Sequence, residues 1–289
     1  MFYGALRLAN TVLNRLGLSL VPHADAKPGH VSGNSVSELM SELARFEAKE
    51  VVARVPLSSG RGLPQFSWGE EGTHPFVRAA RIAMTCSSVQ EVRGAIATSL
   101  ADFYDSYQPS SIHDIFWPAE NAFGDLGHYP AWAAMMPWQG GDDINSWMLK
   151  IAETVRKEGR NGRQRLTIDD GWSWSGPVSR AKLEYEVKRL TRVVLAINKN
   201  GYRRHDGFDG DIRAVLLMKS DGAWVWQSYA GQHRAAALSA SGVTDVPVRF
   251  SAVVREAEVA TWPQVVSGLY SVDQARHIFD RVFSGPLWP

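Results

Sequence analysis

Hydrophobic and polar positions alternate with a helical period in three segments of the first part of the chain. The apolar stripes are Val36, Leu39, Met40, Leu43 and Phe46, then Val92, Ile96, Leu100 and Phe103, and finally Ile144, Trp147, Met148, Ile151 and Val155. Capping boxes at Ser35–Glu38 and Ser88–Glu91 open the first two stripes, and Gly159 stands where a cap would end the third. We therefore expect residues 1–160 to be mainly helical.

The pattern beyond residue 175 predicts a different order of elements, namely helix, β-hairpin, glycine turn, short helix and strand. An aspartate-glycine pair between two apolar runs is a hairpin signal, and a glycine after a helical stripe is a stop signal. The segments are the stripe Leu183–Ile197 ending at Gly201, the strands Ala214–Met218 and Trp224–Tyr229 around Asp221-Gly222, the helix Ala235–Ala240 and the strand Val246–Phe250. We expect an α+β protein in which residues 175–289 form a small mixed-sheet domain beside the helical N-terminal region.

Two segments between these regions have unusual compositions. Pro109–Gly141 is dense in Trp, Pro and Gly, and we expect ordered irregular structure there because aromatic side chains need burial. Arg156–Arg165 carries five basic side chains and is our candidate domain boundary. Its composition is compatible with a solvated linker and with a local patch that binds phosphate or a partner.

Composition narrows the possible functions. The 289 residues include 31 basic and 30 acidic side chains, a net charge of +1, so we do not expect nucleic acid as a partner. A single cysteine, Cys86, excludes an internal disulfide and a Cys-based zinc cluster, which fits a cytoplasmic location. Polar residues interrupt the apolar segment 1–20, so we expect no membrane span, although a peripheral contact of this segment with the inner face of a membrane is an alternative.

The glycine turn carries the chemistry of the C-terminal region. Gly231 follows a predicted strand and precedes a helix, so a phosphate could approach its bare backbone beside the unpaired amides of the helix N-terminus. Arg234 would offer a planar fork to phosphate oxygens, and His233 could donate a hydrogen bond or move a proton.

The segment Gly231–Ala236, together with the flanking segments Ala196–Tyr202 and Gly242–Val248, resembles the ParB/sulfiredoxin superfamily over Arg180–Arg255. The resemblance implies that nucleotide phosphates bind at Gly231, Gln232, His233, Arg234 and Ala235. Members of the superfamily repair peroxiredoxins, partition DNA with CTP, or phosphorylate free serine with ATP or ADP.

The sequence departs from the motif typical of each of these activities, and the departures narrow the possible activities of this chain. Gln232 replaces the catalytic cysteine of sulfiredoxins, which excludes repair chemistry, and we expect no helix-turn-helix domain after Arg255. Ala230 replaces an acidic residue that is common in the serine kinases. The candidate catalytic residues are therefore Glu184, Glu186, Asp209, Asp211 and His233, with Asp209 and Asp211 as candidate Mg²⁺ ligands. For the two glutamates the alternative is a solvated helix face, and for the aspartates a polar loop.

These features lead us to expect a nucleotide-dependent phosphotransferase, a kinase that uses ATP or CTP and Mg²⁺ on a hydroxyl of a small molecule or glycan. The segment Leu8–Leu18 is similar to leaders of bacterial surface-polysaccharide enzymes, which favours a sugar or glycan acceptor. The alternatives are a non-catalytic nucleotide-sensing or DNA-associated ParB-like protein and a ParB-like nuclease. The sequence leaves open the acceptor, the nucleotide base and the oligomeric state.

Overall fold

The structure is a computed structural model and describes residues 30–31, 51–69, 74–116, 124–202 and 210–285. The described strands form one mixed sheet with the order β1-β2-β6-β4-β5-β3. They are β1 (His30–Val31), β2 (Val51–Pro56), β3 (Gly60–Arg61), β4 (Ile212–Met218), β5 (Trp224–Ala230) and β6 (Asp245–Arg255).

The predicted hairpin is confirmed at the centre of this sheet. Strands β4 and β5 pair antiparallel, and β6 lies parallel to β4 on its other side. The turn between β4 and β5 contains Gly222 with a positive φ of 89°, and Asp221 accepts a hydrogen bond from the amide of Ala223 at 2.8 Å. An aspartate that bonds its own backbone two residues on and a glycine at positive φ are the chemistry that a tight turn needs.

Helices cover both faces of the sheet. They are α1 (Pro75–Ala83), α2 (Val89–Ser106), α3 (Ile112–Phe116), α4 (Ile144–Gly162), α5 (Arg180–Asn200), α6 (Gln232–Ala240), α7 (Pro263–Val266) and α8 (Val272–Ser284). Short 3₁₀ turns lie at Leu57–Ser59, Gly124–His128, Ala131–Ala133, Ile168–Asp170 and Glu256–Thr261. None of the described helices is long and apolar enough to span a bilayer.

Alternating strand residues build two cores. On β4, Leu216 faces a core made with α1, α2, α5 and α6, whereas Leu217 faces a second core made with α3, α7 and α8. This period of two is the normal consequence of strand geometry when helices pack on both faces. The Trp-rich segment contributes to the second core, where Trp138 contacts Trp262 and Phe279 edge-on. Over the described residues 124–141, Tyr129, Trp132 and Trp138 are partly buried against this core.

Helix boundaries agree with the predictions in two cases and differ in one. Ser88 and Glu91 form the capping box that begins α2, and Gly201 ends α5 with φ at 65°. Helix α4 passes the expected stop at Gly159 and ends at Gly162, with Arg163 in the left-handed conformation as its cap. Gly159 is needed for close packing instead, because a Cβ there would lie 2.7 Å from the amide nitrogen of Leu166. The stripe predicted for residues 36–46 lies outside the described residues.

The sheet and the first core continue across the boundary expected between residues 1–160 and 175–289. Strand β2 pairs with β6, and β3 pairs with β5, so the N-terminal region supplies strands as well as helices. Helices α1 and α2 bury their apolar faces in the same core as α5 and α6. The candidate boundary segment, Arg156–Arg165, is the end of α4 and the chain that returns along it.

Candidate functional site

The glycine turn joins β5 directly to α6. Gly231 adopts the left-handed conformation, with φ 82° and ψ 17°, and is the N-cap of the helix without a capping side chain. A Cβ at this position would lie 2.8 Å from Cα of Ile212 and 2.9 Å from the carbonyl oxygen of Asp211. Both the conformation and the close approach to β4 therefore require glycine. The amides of Arg234 and Ala235 donate to the Gly231 carbonyl at 3.0 Å, which closes the first turn.

The predicted phosphate-binding residues do not all face outward. Gln232 is buried, and its side chain holds the turn in place: Oε1 accepts from the amide of Leu63, and Nε2 donates to the carbonyl of Ser228, both at 3.0 Å. Ala235 is fully buried, and Arg234 lies half-buried in the first turn of α6. Gln232 and Ala235 thus have structural roles, while Gly231 and Arg234 line the accessible side of the turn.

His233 points inward and meets a carboxylate that the sequence also suggested. Its Nε2 lies 2.8 Å from Oε2 of Glu186 on α5. The side chains of Glu186 and His233 are 0% and 8% exposed, so this contact is shielded from water. The structure therefore brings together two of the five predicted catalytic residues.

A cluster of charged side chains surrounds this pair, and we call it the buried charge network. Lys182 Nζ, also fully buried, lies 2.9 Å from Glu186 Oε1 and 2.5 Å from Glu158 Oε2. Arg189 contacts the other oxygen of Glu158 at 3.0 Å. The hydroxyl of Ser173 bridges the two central charges, because it accepts from Lys182 at 2.9 Å and donates to Glu186 at 2.8 Å. Each buried charge is thus paired and hydrogen-bonded, the condition under which burial of charge is tolerated.

The network fixes the protonation of its members. Burial alone would raise the pKa of Glu186, but Lys182, His233 and Arg189 outweigh that effect and hold it well below its usual range. Burial would lower the pKa of Lys182, but Glu186 and Glu158 raise it. The pKa of His233 is lowered by burial and by Arg189, against the opposite effect of Glu186. At neutral pH the imidazole is therefore neutral and lies beside an ionised carboxylate. Because that carboxylate can only accept a hydrogen bond, Nε2 must carry the proton, which leaves Nδ1 as the basic nitrogen.

Aromatic side chains pack around the inner side of His233. The ring of Phe76 lies 4.9 Å from the imidazole, centroid to centroid. His74, also buried, caps α1 by accepting a hydrogen bond at Nδ1 from the amide of Phe76 and stacks on Trp68 at 3.9 Å. Burial, and secondarily His233, holds the pKa of His74 well below its usual range. Two neutral histidines thus lie in one apolar wall behind the turn.

The other predicted catalytic residues lie apart from this pair. The side chain of Glu184 is 45% exposed and pairs with Arg180 at 3.1 Å, as expected for a solvated helix face. Asp211 is buried, and its Oδ2 accepts from both Nε (2.7 Å) and Nη2 (2.6 Å) of Arg249. Asp209 lies outside the described residues. An Asp211 carboxylate already engaged by a guanidinium does not fit a Mg²⁺ ligand, and the described residues include no group of three potential metal ligands.

Sequence reasoning missed Lys182, Glu158, Ser173 and Arg189. A signal was present on α5, where Lys182, Glu186 and Arg189 follow the spacing of one helix face and pair charges four and three residues apart. That spacing is also typical of a solvated face, so the sequence alone does not indicate burial. Glu158 and Ser173 reach the network from other parts of the chain, which no local pattern reveals.

Comparisons with known proteins give no match: no protein-family model, no curated protein and no solved structure matches the chain.

Proposed function

We propose that this protein is a nucleotide-dependent phosphotransferase that binds nucleotide phosphates at the turn Gly231–Arg234 and transfers a phosphoryl group to a hydroxyl of a small molecule or glycan. One observation carries the proposal. A glycine in the left-handed conformation links β5 to α6, Arg234 lies in the first turn of that helix, and His233, directly before Arg234, bonds an ionised carboxylate. A helix N-terminus, a cation and a basic nitrogen thereby lie within four consecutive residues.

The binding step follows from the start of α6. The N-terminus of a helix carries partial positive charge and amide groups that favour anions, and Gly231 has no side chain to block their approach. Arg234 adds a guanidinium whose fork matches two phosphate oxygens. A nucleotide bound here would place its phosphates over the first turn of α6. ATP and CTP are the nucleotides we propose.

The chemical step uses His233 as the base. The acceptor oxygen attacks the terminal phosphorus, the bond from that phosphorus to the bridging oxygen breaks, and a nucleoside diphosphate leaves. The hydroxyl proton passes to Nδ1 of His233, the nitrogen left basic when Nε2 donates to Glu186. Glu186 is then a positioning residue, because it fixes the tautomer and orientation of the imidazole. Mg²⁺ enters the proposal only as the counter-ion of the nucleotide phosphates.

The test is product formation by the full chain. Purified protein is incubated separately with ATP, CTP and GTP, with Mg²⁺ and a metabolite or oligosaccharide pool, and analysed by mass spectrometry. We expect nucleoside diphosphate together with a phosphorylated product, both lost in Arg234→Ala. Absence of a phosphorylated product with all three nucleotides, while one of them binds, would rule out the transferase.

A second candidate is a nucleotide-sensing protein that binds at the same turn without transfer. Two observations favour it: the His233 side chain is only 8% exposed, and the carboxylate of Asp211 is already paired with Arg249. In that case calorimetry would detect nucleotide binding that depends on Arg234, and the transfer assay would give no product. The two candidate functions share the binding site, and only the phosphoryl-transfer assay distinguishes them.

A further inference from the structure

A cleft rich in arginine lies on the outer side of α4, and we call it the arginine cleft. Its volume is about 520 Å³, within the range of small-molecule sites. The last turns of α4 form one wall and the returning chain forms the other. The lining residues are Arg156, Arg160, Arg163, Gln164, Arg165, Leu166 and Thr167.

The returning chain is held firmly against α4. Leu166 is 2% exposed and packs in a small core with Val155 and Tyr185. The amide of Gln164 donates to the carbonyl of Gly159 at 2.8 Å, and the missing side chain of Gly159 allows this approach. Arg163 makes the reversal in the left-handed conformation, with φ at 57°, which is unfavourable for a residue with a side chain. The cleft is therefore a shaped feature of the fold and not a flexible linker.

The charge of the cleft is concentrated and only partly neutralised. Glu153 pairs with Arg156 at 3.3 Å and with Arg160 at 2.7 Å, so one carboxylate serves two guanidinium groups. Arg163 and Arg165 are exposed and form no ion pair with any residue of the described chain. On a protein with a net charge of +1, four guanidinium groups around one cleft form a local anion-attracting surface.

Two polar side chains of the returning chain are turned away from solvent or engaged by the backbone. The Oε1 atom of Gln164 is buried and has no hydrogen-bond partner. A buried acceptor without a partner is unfavourable, and because this atom is closed to solvent it does not form part of the surface that a ligand would meet. The Asp170 carboxylate, three residues beyond Thr167, accepts from the amide of Thr167 at 2.8 Å and so is engaged by the backbone.

We propose that the arginine cleft binds a small molecule that carries two or more phosphate groups. Arginine forks recognise phosphate oxygens in pairs, and the lining supplies only one aliphatic side chain, Leu166, for an apolar ligand. The site is separate from the glycine turn, and the proposal does not depend on the transferase activity.

The test uses isothermal titration of the full-length protein with inorganic triphosphate and with a hexose bisphosphate. The informative variant combines Arg163→Asn with Arg165→Gln, because asparagine tolerates the left-handed conformation while both charges are removed. Arg192→Gln, an exposed arginine on α5, is the matched control for loss of surface charge. The same titrations in Arg234→Ala separate this site from the glycine turn.

We expect both probes to bind to wild type, Arg192→Gln and Arg234→Ala, and to bind at least about tenfold more weakly when the double variant is combined with Arg234→Ala, which removes binding at the glycine turn. Triphosphate binding of equal strength in the double variant and the Arg192→Gln control, each combined with Arg234→Ala, would overturn the proposal. Loss of all binding in Arg234→Ala would also overturn it, because the anion would then occupy the glycine turn. Tighter binding of a single-stranded oligonucleotide, lost in the double variant, would identify a nucleic-acid surface instead and equally contradict it.

Discussion

Replacement of Glu186 by glutamine tests whether the charge pairing in the buried charge network stabilises the fold. The side chain is fully buried and contacts Lys182, Ser173 and His233. Glutamine has the same shape but no charge. The fully buried ammonium of Lys182 would keep only one carboxylate, Glu158, as its counter-ion.

The magnitude follows from what remains after the change. Removal of one partner of a buried ion pair destabilises a protein by about 3–5 kcal/mol. The lower end applies here, because Glu158 still lies 2.5 Å from Lys182 and the glutamine carbonyl can still accept from His233. We expect Glu186→Gln to lower the free energy of unfolding by about 3 kcal/mol.

The chain offers a matched control two residues earlier on the same helix. Glu184→Gln makes the identical chemical change at a side chain that is 45% exposed and whose partner, Arg180, is 92% exposed. Exposed pairs contribute little, so we expect a change within about 0.5 kcal/mol. Equilibrium urea denaturation of both variants at neutral pH, followed by circular dichroism, gives the comparison.

A double-mutant cycle with Lys182→Met separates charge from packing. If the two buried charges stabilise each other, Lys182→Met/Glu186→Gln should lose clearly less than the sum of the single losses. If Glu186→Gln and Glu184→Gln lowered the free energy of unfolding equally, with unchanged denaturant slopes, the buried network would not be shielded from water as described. Strict additivity in the cycle would refute the coupling between Lys182 and Glu186.

Three further predictions address the turn and its histidines. Arg234→Ala should weaken ATP or CTP binding by about tenfold to a hundredfold in calorimetry and leave the fold intact, and Arg234→Lys should recover only part; equal affinities would remove this residue from the site. Gly231→Ala should destabilise by about 1–3 kcal/mol more than Gly242→Ala, because both have positive φ but only the first would place its Cβ against backbone; equal losses in urea denaturation would contradict this. Burial lowers the pKa of His233 and His74 below 6.5, so the unfolded state binds protons first and the free energy of unfolding should fall as pH drops below that value. Urea midpoints measured over a pH series test this; if the midpoint of His233→Gln depended on pH as steeply as that of wild type, His233 would make no contribution.

The sequence predicted the local geometry of the C-terminal part well, because that geometry depends on neighbours along the chain. The turn at Gly222, the helix stop at Gly201 and the glycine at the start of α6 each need a positive φ, which glycine adopts without strain. The capping box of Ser88 and Glu91 is likewise complete within four residues. These signals are local, and the structure confirms them.

The pairing of distant segments was not predictable in the same way. β2 lies almost two hundred residues before its partner β6, since Val52 is in register with Arg249. Nothing in the six residues of β2 indicates that partner. β3 has only two residues and pairs with β5. The expected division into a helical N-terminal region and a C-terminal mixed-sheet domain therefore omitted strands that the N-terminal region adds to the sheet.

The difference between Glu184 and Glu186 shows what a helix pattern does and does not reveal. Two residues apart on a helix, their side chains point in directions separated by roughly 200°. One must therefore face outward if the other faces inward. The apolar stripe that includes Leu190 does not show which carboxylate is buried, because a buried charge is tolerated only when partners from other parts of the chain pair with it. The partners of Glu186 from elsewhere in the chain are Ser173, whose hydroxyl donates to it, and His233 on α6.

The location of the buried charge network supports the proposed role of the glycine turn. Paired charges inside a protein contribute little net stability compared with apolar residues of similar volume, so stability alone does not account for them. They do specify geometry: Glu186 accepts only from the protonated Nε2 of His233, and Lys182 holds that carboxylate from the opposite side. The imidazole whose tautomer is fixed in this way belongs to the first turn of α6, two residues after Gly231. A network that served only to pack α4 against α5 would have no need to reach that residue.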